Sequence, residues 1–240
     1  MSAFPFYHTS SKKLTPFSKC IVIIFAVIFA LAVYFVASGE DGKQDILPAA
    51  NPISYIAEDC DIYTVIVILT GKETKNNINI FMEICGGFDI EAVFFMTTEY
   101  MDKNASLVEK IYSEGHTVGL VCRETAKLTR SGFMKYLARC NDEFYSLTGR
   151  YPKYCYIEGS PSPYAPEVIN AYGQYYVSYG VEITREKDKQ IKNGFIVAVN
   201  LTESDGSYAF ARAVSGALEA KLKAVNMKEF IKTYEQLQES

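Results

Sequence analysis

The sequence predicts an α/β domain in which about seven parallel strands curl into a barrel with helices outside, preceded by one N-terminal transmembrane helix. Short apolar runs alternate with segments of helical periodicity through residues 61–240, as they do in consecutive β-α units. A separate apolar run near the N-terminus carries no charged residue and is long enough to cross a bilayer. Periodicity alone also permits an open doubly wound sheet.

The apolar run is Cys20–Ala37, and a helix of this length would be about 27 Å long. A buried helix of a soluble protein normally has a polar face, and this run has none. We therefore predict a transmembrane helix at residues 20–38. A cleaved signal peptide is the alternative, but the run exceeds the usual h-region, and the best small-residue cleavage site, Val36-Ala37-Ser38, is poor.

The charges beside this run predict its orientation. Lys12, Lys13 and Lys19 precede it, whereas mainly acidic residues follow it. Because cytoplasmic flanks carry the excess of Lys and Arg, we expect a single-pass protein of the cell membrane, with residues 1–19 in the cytoplasm and the C-terminal domain outside. Residues 39–60 are rich in Gly, Pro, Asp and Asn, which indicates a linker to a domain at 61–240.

The first half of the domain has the pattern of repeated β-α units. Gly115 follows a run of helical spacing and is expected to end that helix in the left-handed conformation. The expected strands and the helices between them are, in chain order, Thr64–Leu69, Ile78–Cys85, Ala92–Met96, Leu107–Ile111 and Thr117–Cys122.

A long amphipathic helix opens the second half of the domain. Its apolar face runs from Phe133 to Leu147, it stops at Gly149, and Pro152 lies just beyond. The later strands and helices are expected, in chain order, at Tyr154–Ile157, Pro166–Ala171, Tyr175–Val181, Phe195–Val199, Tyr208–Leu222 and Met227–Leu237.

The composition argues against several functions. A net charge of −4 and a pI near 5.4 give no basic surface for phosphates, so nucleic-acid binding is not expected. Five cysteines without CxxC spacing follow the apolar run, which leaves one disulfide or buried free thiols as alternatives. The chain has no GxSxG, GxGxxG or Walker A sequence.

Three segments in order resemble the polysaccharide deacetylase family, also called the NodB homology domain. They are a helix and strand at Ile80–Phe95, a helix, turn and strand at Leu107–Leu120 that contains Gly115-His116-Thr117-Val118-Gly119, and the element Leu147-Thr148-Gly149-Arg150-Tyr151-Pro152. The resemblance extends from about Val65 to Phe230. It implies the family's β/α barrel and a carbohydrate deacetylase ancestry.

In that family an aspartate after the first strand and two histidines after the third hold a divalent metal, which polarises the amide carbonyl and activates water. The histidine positions fall here on Val121 and Thr125, and the aspartate motif on Leu69-Thr70-Gly71-Lys72-Glu73. The family's Arg-Pro-Pro-x-Gly segment becomes Tyr156-Ile157-Glu158-Gly159, and its late Leu-His-Asp becomes Val199-Asn200-Leu201. We therefore predict no catalytic residue, no metal ligand and no cofactor.

The carboxyl ends of the strands still define a cleft where a ligand would bind. The candidate binding residues there are Lys72, Glu73, Arg123, Glu124, Tyr156, Glu158 and Asn200. Glu73 with Glu124 or Glu158 is an alternative all-carboxylate site for a hard cation, although loop acids of this kind are more often solvated. His116 is expected to be structural because no second histidine is available as its partner, and Cys122 because it has no histidine base to activate its thiol.

These observations predict a membrane-anchored extracytoplasmic deacetylase-like protein without activity, which binds cell-envelope glycan or acts as a scaffold for envelope proteins. Tyrosines concentrated between Tyr151 and Tyr179 could stack on sugar rings, although core and rim packing is the favoured explanation, because most of them fall in expected strands and helices. The alternative is a divergent active deacetylase of peptidoglycan or chitin type with a rearranged site.

Overall fold

The computed structural model of the protein describes residues 51–57, 60–184, 190–203 and 205–239. The predicted transmembrane helix at 20–38 lies outside these ranges. Within them, no helix combines the length and the apolar character needed to cross a bilayer.

The strands form one parallel sheet in the order β5-β4-β3-β2-β1-β7-β6, and β8 pairs with the start of β1. The sheet curls into a half-barrel, so the predicted seven-strand α/β architecture is confirmed, while the sheet path has two ends instead of a closed ring. The strands are β1 (Ile62–Ile68), β2 (Ala92–Met96), β3 (Thr117–Arg123), β4 (Tyr154–Glu158), β5 (Tyr175–Tyr176), β6 (Val181–Ile183), β7 (Ile196–Val199) and β8 (Lys223–Ala224).

Three of the helices begin after a threonine that caps them. The hydroxyls of Thr74, Thr97 and Thr129 each accept a hydrogen bond from a backbone N–H in the first turn that follows. The long helix ends at Gly149, whose φ of 69° lies in the left-handed region, as predicted. The helices are α1 (Lys75–Gly87), α2 (Thr98–Lys103), α3 (Ala105–Ser113), α4 (Arg130–Thr148), α5 (Ala165–Ala171), α6 (Gly206–Glu219) and α7 (Met227–Gln238).

Sequence and structure differ at short elements. The expected strand Tyr175–Val181 is two strands, β5 and β6, which lie at opposite ends of the sheet path. The chain between them crosses the open side of the half-barrel, and an apolar-aromatic run cannot reveal that change of partner. Helix α2 and strand β8 were not predicted, because six and two residues are too short for periodicity to register.

Alternation along the strands separates two apolar clusters. The outer cluster includes Val65, Val67 and Phe94 and packs under helices α1 to α6. The inner cluster includes Ile66, Phe95 and Val121 from the concave face of the sheet, and Phe230 of α7 closes it. Successive strand residues point to opposite faces, and an apolar cluster covers each face. The sequences of β1, β2 and β3 are therefore continuous apolar runs.

The N-terminal part of the described domain lies along the open side of the half-barrel. Ile53 N–H donates to the Tyr176 carbonyl (2.9 Å), and Ile56 N–H donates to the Gly194 carbonyl (2.7 Å). Ile53 and Ile56 also pack against the inner cluster. Part of the sequence assigned to the linker therefore contacts the sheet directly.

Candidate functional site

Three polar residues lie near each other where their strands end, at the carboxyl edge of the sheet. Thr70, Arg123 and Glu158 follow the inner residues Ile68, Val121 and Tyr156 by two positions, so alternation places them on the concave side. A cavity of about 430 Å³ opens there, which we call the mouth cavity. It is lined by Thr70, Lys72, Arg123, Glu124, Glu158 and Gly159.

An ion pair links β3 to β4 across this cavity. Arg123 Nε donates to Glu158 Oε2, and the two side chains are 41% and 40% exposed. The backbone N–H of Arg123 donates to the hydroxyl of Tyr136 on α4 at 3.0 Å. Arg123 is thus fixed at its backbone by α4 and at its guanidinium by the neighbouring strand.

Glu124 has an unusual backbone conformation beside the ion pair. Its φ is 54°, in the left-handed region that L residues other than Gly, Asn and Asp rarely adopt. Both neighbours are anchored, because Arg123 is held by Tyr136, and the hydroxyl of buried Thr125 accepts from Ser162 N–H at 3.2 Å. Side chains at strained positions of this kind cluster at functional sites.

Lys72 and Glu73 are neighbours in sequence, but their side chains differ in whether they are free to bind a ligand. Lys72 lines the mouth cavity. The carboxylate of Glu73 accepts from Thr70 N–H (3.0 Å), Thr70 Oγ1 (2.8 Å) and Gly71 N–H (2.9 Å), so it closes the turn after β1. Glu73 lines a second cavity of about 390 Å³, which shares Thr70 and Arg123 with the first.

Tyr156 lies beneath the mouth cavity and does not line it. Its ring stacks on the ring of Tyr179, with 6.3 Å between centroids and 21° between planes. Burial raises the pKa of the Tyr156 hydroxyl well above its usual value, with smaller contributions from Tyr179 and Glu158. Tyr156 therefore stays a neutral phenol that supports the residues above it.

Asn200 takes part in a different contact. Its side-chain oxygen accepts from the Thr202 N–H (3.0 Å) and the Thr202 hydroxyl (2.6 Å), and its amide faces Glu182 Oε1 at 3.5 Å. Of the seven candidates, the structure thus brings four together around the mouth cavity: Lys72, Arg123, Glu124 and Glu158. Sequence reasoning missed the lining residues Thr70 and Gly159, whose only signal was their place just after a strand.

The positions that the resemblance assigns to metal ligands do not fit a metal. Val121 is 2% exposed within the inner apolar cluster, and Thr125 is fully buried with its hydroxyl bonded to the backbone. Lys72, a cation, stands in the segment that holds the family's aspartates. Across the described ranges, no three His, Cys, Asp or Glu side chains are grouped to hold an ion.

The histidine of the domain lies away from the mouth cavity. His116 precedes β3 at the opposite edge of the sheet, is buried, and accepts from Ala92 N–H through Nδ1 at 3.3 Å. Burial lowers the pKa of its imidazole, and the carboxylate of Glu114 opposes that shift. The thiols of Cys122 and Cys155 are also buried, on the outer face, 3.5 Å apart.

Solved structures with this fold include active and inactive carbohydrate esterases. A family 4 carbohydrate esterase (CE4) pseudoenzyme from Bacillus anthracis matches with a TM-score of 0.67 at 16% identity, over 78% of this chain and 70% of that one. A family 4 carbohydrate esterase from Bacillus anthracis matches with a TM-score of 0.63 at 15% identity, over 80% and 92%. A peptidoglycan deacetylase from Bacillus subtilis matches with a TM-score of 0.59 at 11% identity, over 76% and 96%.

Sequence comparisons agree with this fold. No curated protein matched the chain. The family model described as polysaccharide deacetylase matches residues 72–177, from the turn after β1 to the end of β5. This match covers less than half of the 240 residues, and the solved structures above share the fold of the domain.

Proposed function

We propose that this protein is a membrane-anchored extracytoplasmic member of the polysaccharide deacetylase family that binds cell-envelope glycan without hydrolysing it. The observation that carries the proposal is the chemistry of the former metal positions. Val121 and Thr125 are buried and can supply no imidazole, and Lys72 brings positive charge where a cation would need carboxylates. Metal-assisted attack of water on an acetamide has no ligand set here.

The mouth cavity remains suited to a polar ligand. It offers cationic donors from Lys72 and Arg123, and carboxylate acceptors from Glu124 and Glu158. Among the residues described, Lys72 and Glu124 have no hydrogen-bonding or ionic partner, so both can bind a ligand without breaking an internal contact. Sugar hydroxyls and acetamido groups match such a mixture of donors and acceptors.

The structural neighbours indicate which glycan to test first. One neighbour is a peptidoglycan deacetylase, and another is a pseudoenzyme of the same esterase family. Peptidoglycan fragments and chitin oligomers are therefore the ligands of choice. A scaffold role for envelope proteins is the outcome if neither glycan is retained.

The alternative is a divergent active deacetylase. Its support is that Glu124 and Glu158 line one cavity, where two carboxylates could act on a hard cation. Against it, Glu158 is paired with Arg123, and the Glu73 carboxylate is occupied by three hydrogen bonds in the turn after β1.

The deciding experiment measures binding and catalysis on the same full-length protein in detergent. We expect retention on peptidoglycan or chitin oligomers, no stoichiometric zinc, cobalt or manganese, and no acetate release above background. Lys72→Ala and Arg123→Gln should weaken retention, whereas Lys232→Ala on α7 should not. Bound metal with acetate release that Glu124→Gln or Glu158→Gln abolishes would establish the active alternative instead.

A further inference from the structure

Residues 51–57 form a strap across the open side of the half-barrel, between β5 and β7. Ile53 bridges Val177 in parallel, and Tyr55 bridges Phe195 in antiparallel fashion, with the Tyr55 and Phe195 rings stacked at 5.6 Å. The backbone approach is close at Gly194, since a Cβ there would lie 2.2 Å from the Ala57 carbonyl oxygen. The strap is therefore fitted between the chain after β5 and the chain before β7.

The strap holds the chain that crosses from β5 to β6. Ile53 N–H donates to the Tyr176 carbonyl, and Ser178 N–H donates to the Ile53 carbonyl, both at 2.9 Å. On the other side, Ile196 N–H of β7 donates to the Ser54 carbonyl at 2.9 Å. Tyr179 follows Ser178 directly, so the strap fixes the backbone from which its ring projects.

Tyr179 connects this crossing to the mouth cavity. Its ring stacks on the ring of Tyr156, with 6.3 Å between the ring centroids. Tyr156 lies two residues before Glu158 on the same face of β4, and Glu158 pairs with Arg123 at the cavity. A continuous series of contacts thus runs from Ile53 through Ser178, Tyr179 and Tyr156 to Glu158.

We infer that the strap is a positioning element for the mouth cavity, and that it acts through Tyr179 on the end of β4. Among the described residues, no hydrogen bond or ring contact joins the strap to a residue that lines the cavity, so its influence depends on where it places the Tyr179 ring. The effect on ligand binding rests on the proposed glycan-binding function. The effect on β4 itself does not.

The variant that tests this is Ile53→Pro in the full-length protein. Proline removes the N–H that bonds to Tyr176, while the rest of the chain keeps its sequence. Asn51→Pro is the matched control in the same segment, because no described hydrogen bond uses the Asn51 N–H. Ile53→Val keeps the N–H and most of the packing, so it should behave as the wild type.

The readout is amide hydrogen exchange followed by mass spectrometry. Loss of one backbone hydrogen bond should speed exchange from a few-fold to about ten-fold. We expect this acceleration in residues 175–181 and in β4, but not in β2, and none of it in Asn51→Pro. Unchanged exchange in β4 would overturn the inference.

A double-mutant cycle separates the route through Tyr179 from simple loosening of the sheet. Tyr179→Leu removes the ring that stacks on Tyr156. If the strap acts through the Tyr179 ring, Ile53→Pro should no longer accelerate exchange in β4 when Tyr179→Leu is present. Acceleration of equal size in both backgrounds would mean that β5 alone transmits the change, and would refute the proposal. Glycan retention, measured separately, decides only the proposed function.

Discussion

At the scale of single residues, the backbone at the mouth cavity is held by contacts with segments that are distant in the sequence. Arg123 is held by Tyr136 of α4, and Thr125 by Ser162 in the loop after β4. Glu124 between them is left with a left-handed backbone and an exposed side chain. The free-energy cost of that backbone conformation can be measured by substitution of Glu124.

Glu124→Gly should raise the free energy of unfolding by about 0.5–1 kcal/mol, because glycine adopts a positive φ without the left-handed cost and loses part of that gain to its freer unfolded chain. Glu124→Ala should leave stability near the wild-type value, since alanine keeps the strain. Chemical denaturation of both variants measures the difference. A Gly variant less stable than the Ala variant by about 0.4–1 kcal/mol would show that the residue is not strained, because only the freer unfolded chain of glycine would then contribute.

His116 predicts how stability depends on pH. Its folded-state pKa lies below the ordinary 6.5, so the unfolded chain binds the proton first as the pH falls. The contribution of the neutral, buried imidazole is therefore complete above about pH 6.5 and is lost progressively below it. Between pH 7 and pH 5, the free energy of unfolding should fall less for His116→Gln than for the wild type. A loss of the same size in both would assign the acid sensitivity to other groups.

At the scale of elements, the packing of β2 against β3 depends on a small residue beneath a large one. Gly119 of β3 lies under the ring of Phe95 on β2, and a Cβ at Gly119 would come within 2.5 Å of that ring. The paired register of Phe95 with Gly119 makes this a direct cross-strand contact. The glycine allows Phe95 to fill the inner cluster.

Gly119→Ala should lower the free energy of unfolding by about 1–3 kcal/mol, because the buried ring has to move within a packed cluster. Gly86→Ala is the matched control on α1, where nothing lies within 4 Å of the added methyl group. Alanine also favours the helix there, so this control should be neutral or more stable by up to about 1 kcal/mol. If Gly119→Ala were as stable as the control, β2 and β3 would be able to move apart at little cost in free energy.

At the scale of the whole molecule, the predicted anchor and the described domain make separate contributions. The domain carries the cavity and its supporting contacts, whereas the run Cys20–Ala37 carries the predicted attachment to the membrane. Either part of the proposed function can therefore fail without the other.

The full-length protein should float with phospholipid vesicles and resist alkaline extraction, because an uncharged run of this length partitions into the bilayer. Ile28→Lys should weaken this attachment, since a lysine at the centre of a helix costs about 2.5–3.5 kcal/mol on insertion. Ile28→Leu keeps the apolar character and serves as the control. Extraction of the wild-type protein by alkali would rule out the anchor and leave glycan binding by the domain untouched.

The sequence by itself determined the α/β class, the main strands and long helices, and four residues of the mouth cavity, because apolar periodicity and strand ends are local signals. Only the tertiary structure decided that Glu73 closes a turn, that Asn200 lies outside the cavity lining, and that residues 175–183 supply both ends of the sheet path. The physical reason is that these outcomes depend on hydrogen bonds and packing between segments distant in the chain, which leave no local pattern. The strap over the open side of the half-barrel is of the same kind, since its sequence is typical of a linker and only its pairing with Tyr176 and Gly194 fixes its place.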